Sequence, residues 1–524
     1  MQNTLREFTA SSLEAISSLT PGRGIEDRYA RHIAGRLRCF DRLLIFGTLQ
    51  RLHNPATVAG MLTDRGLSVF DIKELFEPWS GAIRLNAMTM AKKHRLPIRF
   101  VASCRERKED LVKAILAERG EAPGLVCILS AIENCTTFAG RKAGGPHQLD
   151  WIKTVTGRCV HYYFYFIDEE LGLLHVRVPT WFPSRLQFCL NGHQRLACAL
   201  RDAGIAFTLE DNAFTALGDW QAAQTLSDQW EVPALEKILH RYAALCCPPA
   251  AAHGRYYLSV AQAELALDLV FREKPVVQHL TENLCRHSML TTRIGQMAAW
   301  FGKKLSPEAE ATSGFRTVSR ETWCVRHYYS AQSLKLYNKG CVLRLECASS
   351  DITFYRHHRE VARRDGTSEC KVAPLKKQLF SLKDLQSLMS AACERFLKHL
   401  SVLEDPAPAR HNLDQITRPV RDQKARSWRG LNFFHAGDLQ LVLTLSDGSG
   451  SIRGWTARRL RTALGGEHSG SQISRMLRRL REHGLLKRAA KTFTYYLTVL
   501  GQSALMAALK LRAHLILPAL QSPA

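Results

Sequence analysis

The stretch Ser333-Leu-Lys-Leu-Tyr-Asn-Lys-Gly-Cys-Val-Leu-Arg-Leu-Glu346 alternates apolar residues with Lys335, Tyr337, Arg344 and Glu346, broken once at Asn338-Lys-Gly340. Successive side chains on a strand point to opposite faces, so this period of two predicts a pair of strands with one apolar and one polar face. Asn338-Lys-Gly340 suits the tight turn between them, because glycine tolerates the positive φ that short hairpin loops require. Thr322-Trp-Cys-Val-Arg-His-Tyr-Tyr329 precedes the pair as a third β-prone run.

Further upstream the same signal recurs. His161-Tyr-Tyr-Phe-Tyr-Phe-Ile167, the turn Asp168-Glu-Glu-Leu-Gly172, Leu173-Leu-His-Val-Arg-Val178 and Arg185-Leu-Gln-Phe-Cys-Leu190 read as an antiparallel meander. Residues 97–135 read as a β-α-β unit, with strands Ile98–Ala102 and Gly124–Leu129 flanking an amphipathic Glu106–Glu118. A ligand crevice can form where such strands end, here at Ser103-Cys-Arg105 and Glu133-Asn134. Neither G-x-G-x-x-G nor G-x-x-x-x-G-K-[ST] accompanies it, so nothing points to a nucleotide pocket. Residues 193–305 read as mainly helical, residues 381–404 as helix, and Glu404-Asp-Pro-Ala-Pro-Ala-Arg410 as the start of a linker. No internal repeat at a solenoid period is visible.

The expected fold is therefore α+β and multidomain. A mixed α/β part spans 1–155, and a meander with a helical region spans 156–305. A basic hairpin-and-helix part spans 306–404, a linker 405–431 and a separate helix-rich domain 432–524.

Charge narrows the function. The 524 residues hold 72 Lys and Arg against 48 Asp and Glu, a net charge of +24. Such an excess attracts polyanions, nucleic acid first and an anionic membrane surface second. No apolar run approaches the roughly 18 residues of a spanning helix. The N-terminus carries Glu7 and no apolar core of a signal peptide, so a cytoplasmic protein is expected. Fifteen cysteines without a C-x-x-C read as thiols rather than zinc ligands. Cys127, Cys189 and Cys347 sit in apolar runs as small hydrophobes.

From 437 onward the pattern is helix, helix, turn, helix, hairpin, helix. Asp438–Leu445 is the first helix, and Thr456–Leu464 is the second, stopped by Gly465-Gly466. Gln472–His483 is the third, capped from Ser469 or Ser471. Ile473, Met476, Leu477 and Leu480 form its inward stripe, and Ser474, Arg475, Arg478 and Arg481 fall outside it. Leu485–Arg488 and Thr492–Leu497 follow as a two-stranded wing. The arrangement resembles a winged helix-turn-helix of the MarR-like regulators, over roughly 85 residues. Residues 451–491 carry Arg453, Arg458, Arg459, Arg461, Arg475, Arg478, Arg479, Arg481, Lys487, Arg488 and Lys491 against only Glu467 and Glu482. The resemblance implies duplex DNA as partner, with the third helix in a major groove; RNA is the alternative polyanion.

In the body, the string K-x-Y-x-K followed by R-x-E at 335–346 resembles a segment of rolling-circle replication initiators, over about 14 residues. That resemblance implies a mobile-element or replication-initiator role. Lys335, Lys339, Arg344, Arg356 and Arg359 are the expected phosphate contacts there. One alternative is a metal-dependent nuclease or recombinase, with Tyr337 as nucleophile and Glu346 with Asp351 holding Mg²⁺. The His-apolar-His strand such initiators carry is missing, since Leu174-His-Val-Arg177 has Arg at the second position. Cross-strand pairing of Lys335 or Arg344 with Glu346 explains the same residues without catalysis. A second alternative is a ligand-responsive transcription regulator. As a whole, the chain is similar to a family of bacterial proteins that the pattern places without a function.

Overall fold

The computed structural model describes residues 24–517 and 520, apart from 103–104, 146–149, 182–184, 250–253, 320–322, 364–365, 405–406, 447–453 and 491. The expectations for the N-terminus, Ser103, Cys104, Thr322, Arg453 and Lys491 lie outside the described residues. The chain is mixed α+β and divides into two units, 23–404 and 405–524.

In the first unit, fifteen described strands follow in chain order: β1 Ile33–Thr48, β2 Ile98–Phe100, β3 Gly124–Arg141, β4 Trp151–Asp168, β5 Gly172–Pro179, β6 Arg185–Leu190, β7 Phe207–Glu210, β8 Ala213–Leu217, β9 Tyr257–Phe271, β10 Gly314–Ser319, β11 Trp323–Tyr329, β12 Gln332–Lys339, β13 Val342–Ser349, β14 Arg356–Ala362 and β15 Ser368–Pro374. Eleven of them form one sheet in the order β10-β11-β12-β13-β9-β1-β6-β5-β4-β3-β2, while β7 pairs with β8 and β14 with β15 separately. Only β2 runs parallel to its neighbour β3, across the helix Lys108–Arg119, as the β-α-β reading anticipates. The single sheet runs through all three segments expected as separate domains between 1 and 404.

The main departure is β9. Tyr257-Leu-Ser-Val-Ala-Gln-Ala-Glu-Leu-Ala-Leu-Asp-Leu-Val-Phe271 lies in the segment read as mainly helical, yet it is one of the two central strands. Ala, Leu and Glu favour helix locally. Leu265, Leu267 and Leu269, all fully buried, keep the period of two instead. β1 on one side and β13 on the other bond β9 along most of its length, and that pairing overrides propensity.

The sheet is built twice over. β1 is followed by the helix Ile72–His94, the strands β3 to β6 and the helix Val232–Cys246. β9 is followed by the helix Lys274–Thr291, the strands β10 to β13 and the helix Leu382–Glu404. Within each half the order from the centre is the same, β1-β6-β5-β4-β3 and β9-β13-β12-β11-β10. β1 and β9 pair antiparallel at the junction, so the halves are related by a pseudo-two-fold axis through the sheet. Superposing the hairpin ends Asp168/Gly172 and Tyr329/Gln332 makes Arg42 and Glu264 equivalent, and these two residues face each other across the junction. The repeat is topological and has no counterpart in sequence period.

Helices cover the apolar face. Leu385, Met389, Ala392, Cys393, Phe396 and Leu400 form a completely buried stripe on Leu382–Glu404 at helical spacing. The Cys393 thiol lies 3.9 Å from the Leu345 carbonyl of β13, which fixes the helix on that face. Each buried Leu or Phe there contributes about 1.5–3 kcal/mol. On the opposite face an insert, the helix Gly192–Asp202 through the helix Trp220–Asp228, covers the Leu37 and Cys39 side of β1. Gly192 permits this contact, since a Cβ there would lie 2.1 Å from the Phe40 carbonyl oxygen.

The C-terminal unit holds helices Ala407–Thr417, Ala436–Leu445, Ala457–Ala463 and Gly470–Glu482, the strand pair Leu486–Arg488 with Tyr495–Leu497, and the helix Val499–Leu511. Trp455 adds a bridge to Tyr495. Ser469 and Gln472 cap Gly470–Glu482 reciprocally. Ile473, Leu477 and Leu480 enter a core with Leu441, Val442, Trp455, Leu460 and Leu485. Much of the segment expected as a linker is folded into this core through Ile416 and Leu431. Among the described residues no helix is long and apolar enough to cross a membrane.

Candidate functional site

The sheet face opposite the helical layer is polar. Following the register outward from the junction, it carries Arg42 and Glu264, then His175, Arg177, Tyr163 and Glu133 on one side. On the other side it carries Glu346, Lys335, Tyr337, Arg344 and Asp268. Arg42 Nη2 lies 2.7 Å from Glu264 Oε1 at the pseudo-axis.

In the first half, Glu133 of β3 gathers three partners. Tyr163 Oη donates to its carboxylate at 2.6 Å, Lys108 Nζ at 2.9 Å and Arg177 Nη2 at 2.7 Å. Burial alone would raise the Glu133 carboxyl; Tyr163, Lys108 and Arg177 outweigh it and hold the group at about 2. Burial and the same Glu133 bond push the Tyr163 hydroxyl up. The Lys108 ammonium sits 4.5 Å from the Tyr163 ring centre. Beside this cluster opens a cavity of about 840 Å³, between the sheet and the helix Lys108–Arg119. Tyr165, His175, Cys189, Arg42 and Asp41 line it further in. The His175 ring lies 4.7 Å from that of Tyr165, and burial, reinforced by Lys108, Arg42 and Arg177, lowers its imidazole to about 3. It is neutral at physiological pH.

The second half closes its polar groups in. Arg344, expected as a phosphate contact, is completely buried: Nε lies 2.7 Å from Asp268 Oδ1 and Nη2 2.6 Å from Asp268 Oδ2. Its remaining donors reach Asp41 Oδ1 at 3.0 Å and the Asn212 carbonyl at 2.8 Å. Burial favours raising the Asp268 carboxyl, but Arg344 and His193 overcome it and hold the group at about 2. A guanidinium buried in this way is out of reach of a phosphate, so the expected contact is corrected to a core ion pair.

The expected catalytic trio does not assemble either. Glu346 is buried, paired with Lys335, and accepts from Tyr337 Oη at 2.9 Å. Burial and the Glu346 charge push the Tyr337 hydroxyl well up, which opposes its use as a nucleophile. Asp351 lies beyond the end of β13, where it caps Thr353 and pairs with Lys377 at 3.2 Å. It shares no partner with Glu346, and among the described residues no group of three His, Cys, Asp or Glu could hold a metal ion. The cross-strand pairing of Lys335 with Glu346 is present. Lys339 reaches the Asp211 carbonyl at 2.6 Å. On the hairpin Arg356–Ala362/Ser368–Pro374, Arg356 is exposed and Arg359 half-exposed, bonded to the Val372 and Pro374 carbonyls. The acidic turn at Asp168 is structural, since Asp168 accepts from Arg241, Tyr242 and two backbone amides.

In the C-terminal unit, Arg458, Arg461, Ser474, Arg475, Lys487 and Arg488 are exposed. Four other expected contacts are engaged internally. Arg479 is buried against Asp438, Nη1 at 2.7 Å and Nη2 at 2.9 Å, so it belongs to the core and not to the surface. Arg478 Nη2 bonds Asp422 at 2.9 Å and its guanidinium lies over the Trp428 ring. Arg481 pairs with Glu482, and Arg459 Nη1 donates to the Gly454 carbonyl at 2.6 Å.

Sequence reasoning passed over Tyr163, Arg177 and Lys108. The available signal was the polar tip at every second residue of Tyr163-Phe-Tyr165 and the lone charge in Val176-Arg-Val178. Compared with protein-family models, with curated proteins and with solved structures, the chain matches none.

Proposed function

We propose that the protein binds nucleic acid, and that its C-terminal unit acts as a winged helix on duplex DNA. The supporting observation is the division of the helix Gly470–Glu482. Its aliphatic stripe is spent on the core, while Ser474 and Arg475 stay exposed beside Arg458, Arg461, Lys487 and Arg488. A helix with its core face satisfied and a cationic opposite face, followed by a basic hairpin, fits a major groove and the flanking backbone. A replication-initiator role rests on the 335–346 resemblance, and the enclosed Tyr337 and Glu346 lend it no chemistry.

The test is the triple substitution Arg475→Ala, Lys487→Ala, Arg488→Ala, with duplex affinity measured across a salt series. Arg478 and Arg479 are avoided because they hold the fold. The expected result is at least a roughly tenfold loss of affinity and a slope against log salt flatter by about one per lost phosphate contact. Unchanged affinity and slope in the folded variant overturn the reading.

A second reading, a regulator whose body binds a small molecule, is favoured by the cavity beside Glu133. It predicts that a ligand raising the melting temperature of the full chain also changes its affinity for DNA. A ligand that stabilises without altering DNA binding speaks against it.

A further inference from the structure

Cys135 and Cys159 stand on the adjacent strands β3 and β4, two residues apart in register, since Cys159 pairs with Glu133 and Cys135 with Gly157. Their thiols are hydrogen-bonded to one another. Both are half-exposed free cysteines, whereas Cys39, Cys127, Cys246 and Cys285 are buried. Behind them lies His161, 1% exposed, with Nδ1 3.1 Å from the Cys159 carbonyl oxygen and 3.8 Å from the Cys159 Sγ. The carbonyl can only accept, so Nδ1 carries the proton and points it at Cys159.

We propose that Cys159 and Cys135 form a dithiol that hydroperoxides oxidise, with Cys159 as the attacking sulfur and Cys135 as the resolving one. The contact of His161 Nδ1 with the Cys159 sulfur separates their roles, and the acidity of the thiols agrees with it. The hydrogen bond from Cys135 chiefly, and then the imidazole of His161 against the opposing effect of burial, bring the Cys159 thiol down. The bond to Cys159, joined by burial, pushes Cys135 up. Burial pushes Cys39, Cys127, Cys189 and Cys285 up to about 12, leaving them protonated and unreactive. Only a thiolate attacks a peroxide.

In the first step the Cys159 thiolate attacks the outer peroxide oxygen. The S–O bond forms, the O–O bond breaks, and the departing oxygen takes a proton and leaves as water or alcohol. Cys159 is then a sulfenic acid. In the second step Cys135 gives up its proton, its sulfur attacks the Cys159 sulfur, the S–O bond breaks and water leaves. The sum is two thiols oxidised to one disulfide and one peroxide reduced. Diagonal partners on paired strands lie about 7–8 Å apart, a little beyond the usual disulfide span of about 4.4–6.8 Å. Closure therefore strains the β3–β4 pair, and a strained disulfide is readily reduced again. Arg158, next to Cys159, lines the cavity, so the linkage would form at its border.

The experiment treats the reduced full chain with one equivalent of hydrogen peroxide at neutral pH, blocks remaining thiols with iodoacetamide and digests with trypsin without reductant. The expected first product joins peptide 120–141 to peptide 159–177, with fragmentation placing the bond at Cys135 and not Cys127. Cys159 should disappear at least about tenfold faster than the exposed Cys370. Cys135→Ser should halt the reaction at a Cys159 sulfenic acid that dimedone traps, and Cys159→Ser should abolish the link. Oxidation of Cys159 no faster than Cys370, or a bond to Cys127, overturns the proposal. The rate comparison uses the unaltered chain, so it stands even where a serine variant fails to fold.

Discussion

The two halves of the sheet share one topology and put opposite demands on the polar side chains of the same face. In the first half, Glu133, Lys108 and Arg177 are partly exposed, and Glu133, Lys108 and the buried Tyr163 border a cavity. In the second, Arg344 and Asp268 are sealed, and all three nitrogens of Arg344 are bonded within the cluster of Asp268, Asp41, Asn212 and His193. The difference comes from what lies above the sheet. The insert 192–228 supplies His193 and the Asn212 carbonyl directly over Arg344, whereas over Glu133 the helix Lys108–Arg119 stands off far enough to leave about 840 Å³ open. A polar face thus becomes a site or a piece of core according to its cover.

The contrast breaks if the sealed cluster proves dispensable. Arg344→Met leaves the Asp268 carboxylate buried without its cation and should cost about 3–5 kcal/mol, read from the urea midpoint. Adding Asp268→Leu should recover part of that loss, because no unpaired charge then remains. A single-variant cost below about 1 kcal/mol would mean that the cluster does not hold the two halves together.

Acid should sharpen it next. His175 and His327 have folded-state values of about 3 and about 4, both lowered first of all by burial. The unfolded chain takes up these protons first, so stability falls as pH drops from about 6.5 towards 4, by up to about 1.4 kcal/mol per pH unit for each group. Asp268 and Glu133, held at about 2, stabilise the fold fully above the ordinary carboxylate value and lose that contribution only as pH falls towards 2. A urea midpoint flat between pH 7 and 4 contradicts the burial of the two imidazoles.

Smaller effects belong to the open half. Glu133→Gln removes the charge that Lys108, Arg177 and Tyr163 share; a loss of about 1–2 kcal/mol is expected, together with any ligand affinity of the cavity. Arg42→Gln at the pseudo-axis breaks a largely exposed pair and should change stability by less than about 1 kcal/mol. If Arg42→Gln costs more than Arg344→Met, the assignment of open and sealed halves is reversed.

Local signals were legible wherever the partner of an element is close in sequence. β4 to β6 and β11 to β13 are hairpin-connected meanders, and their alternation with turn residues located them. The reading missed β9, because its nearest partners in the sheet are β1 and β13, far along the chain, and its composition favours helix. It also placed Arg344 and Arg479 on a binding surface. Nothing in Leu343-Arg-Leu345 or Arg478-Arg-Leu480 distinguishes a cation that meets a phosphate from one that meets Asp268 or Asp438.

By itself the sequence determined the elements whose period, caps and turns are local. These include the meanders, the capped helix Gly470–Glu482 and the hairpin after it, together with the cationic surplus. Tertiary structure alone decided that three apparent domains form one duplicated sheet, that β9 is a strand, and which charges face solvent. The physical reason is that strand pairing and desolvation depend on residues hundreds of positions away. Periodicity reports which face of an element is apolar, and only the assembled fold determines what covers the other.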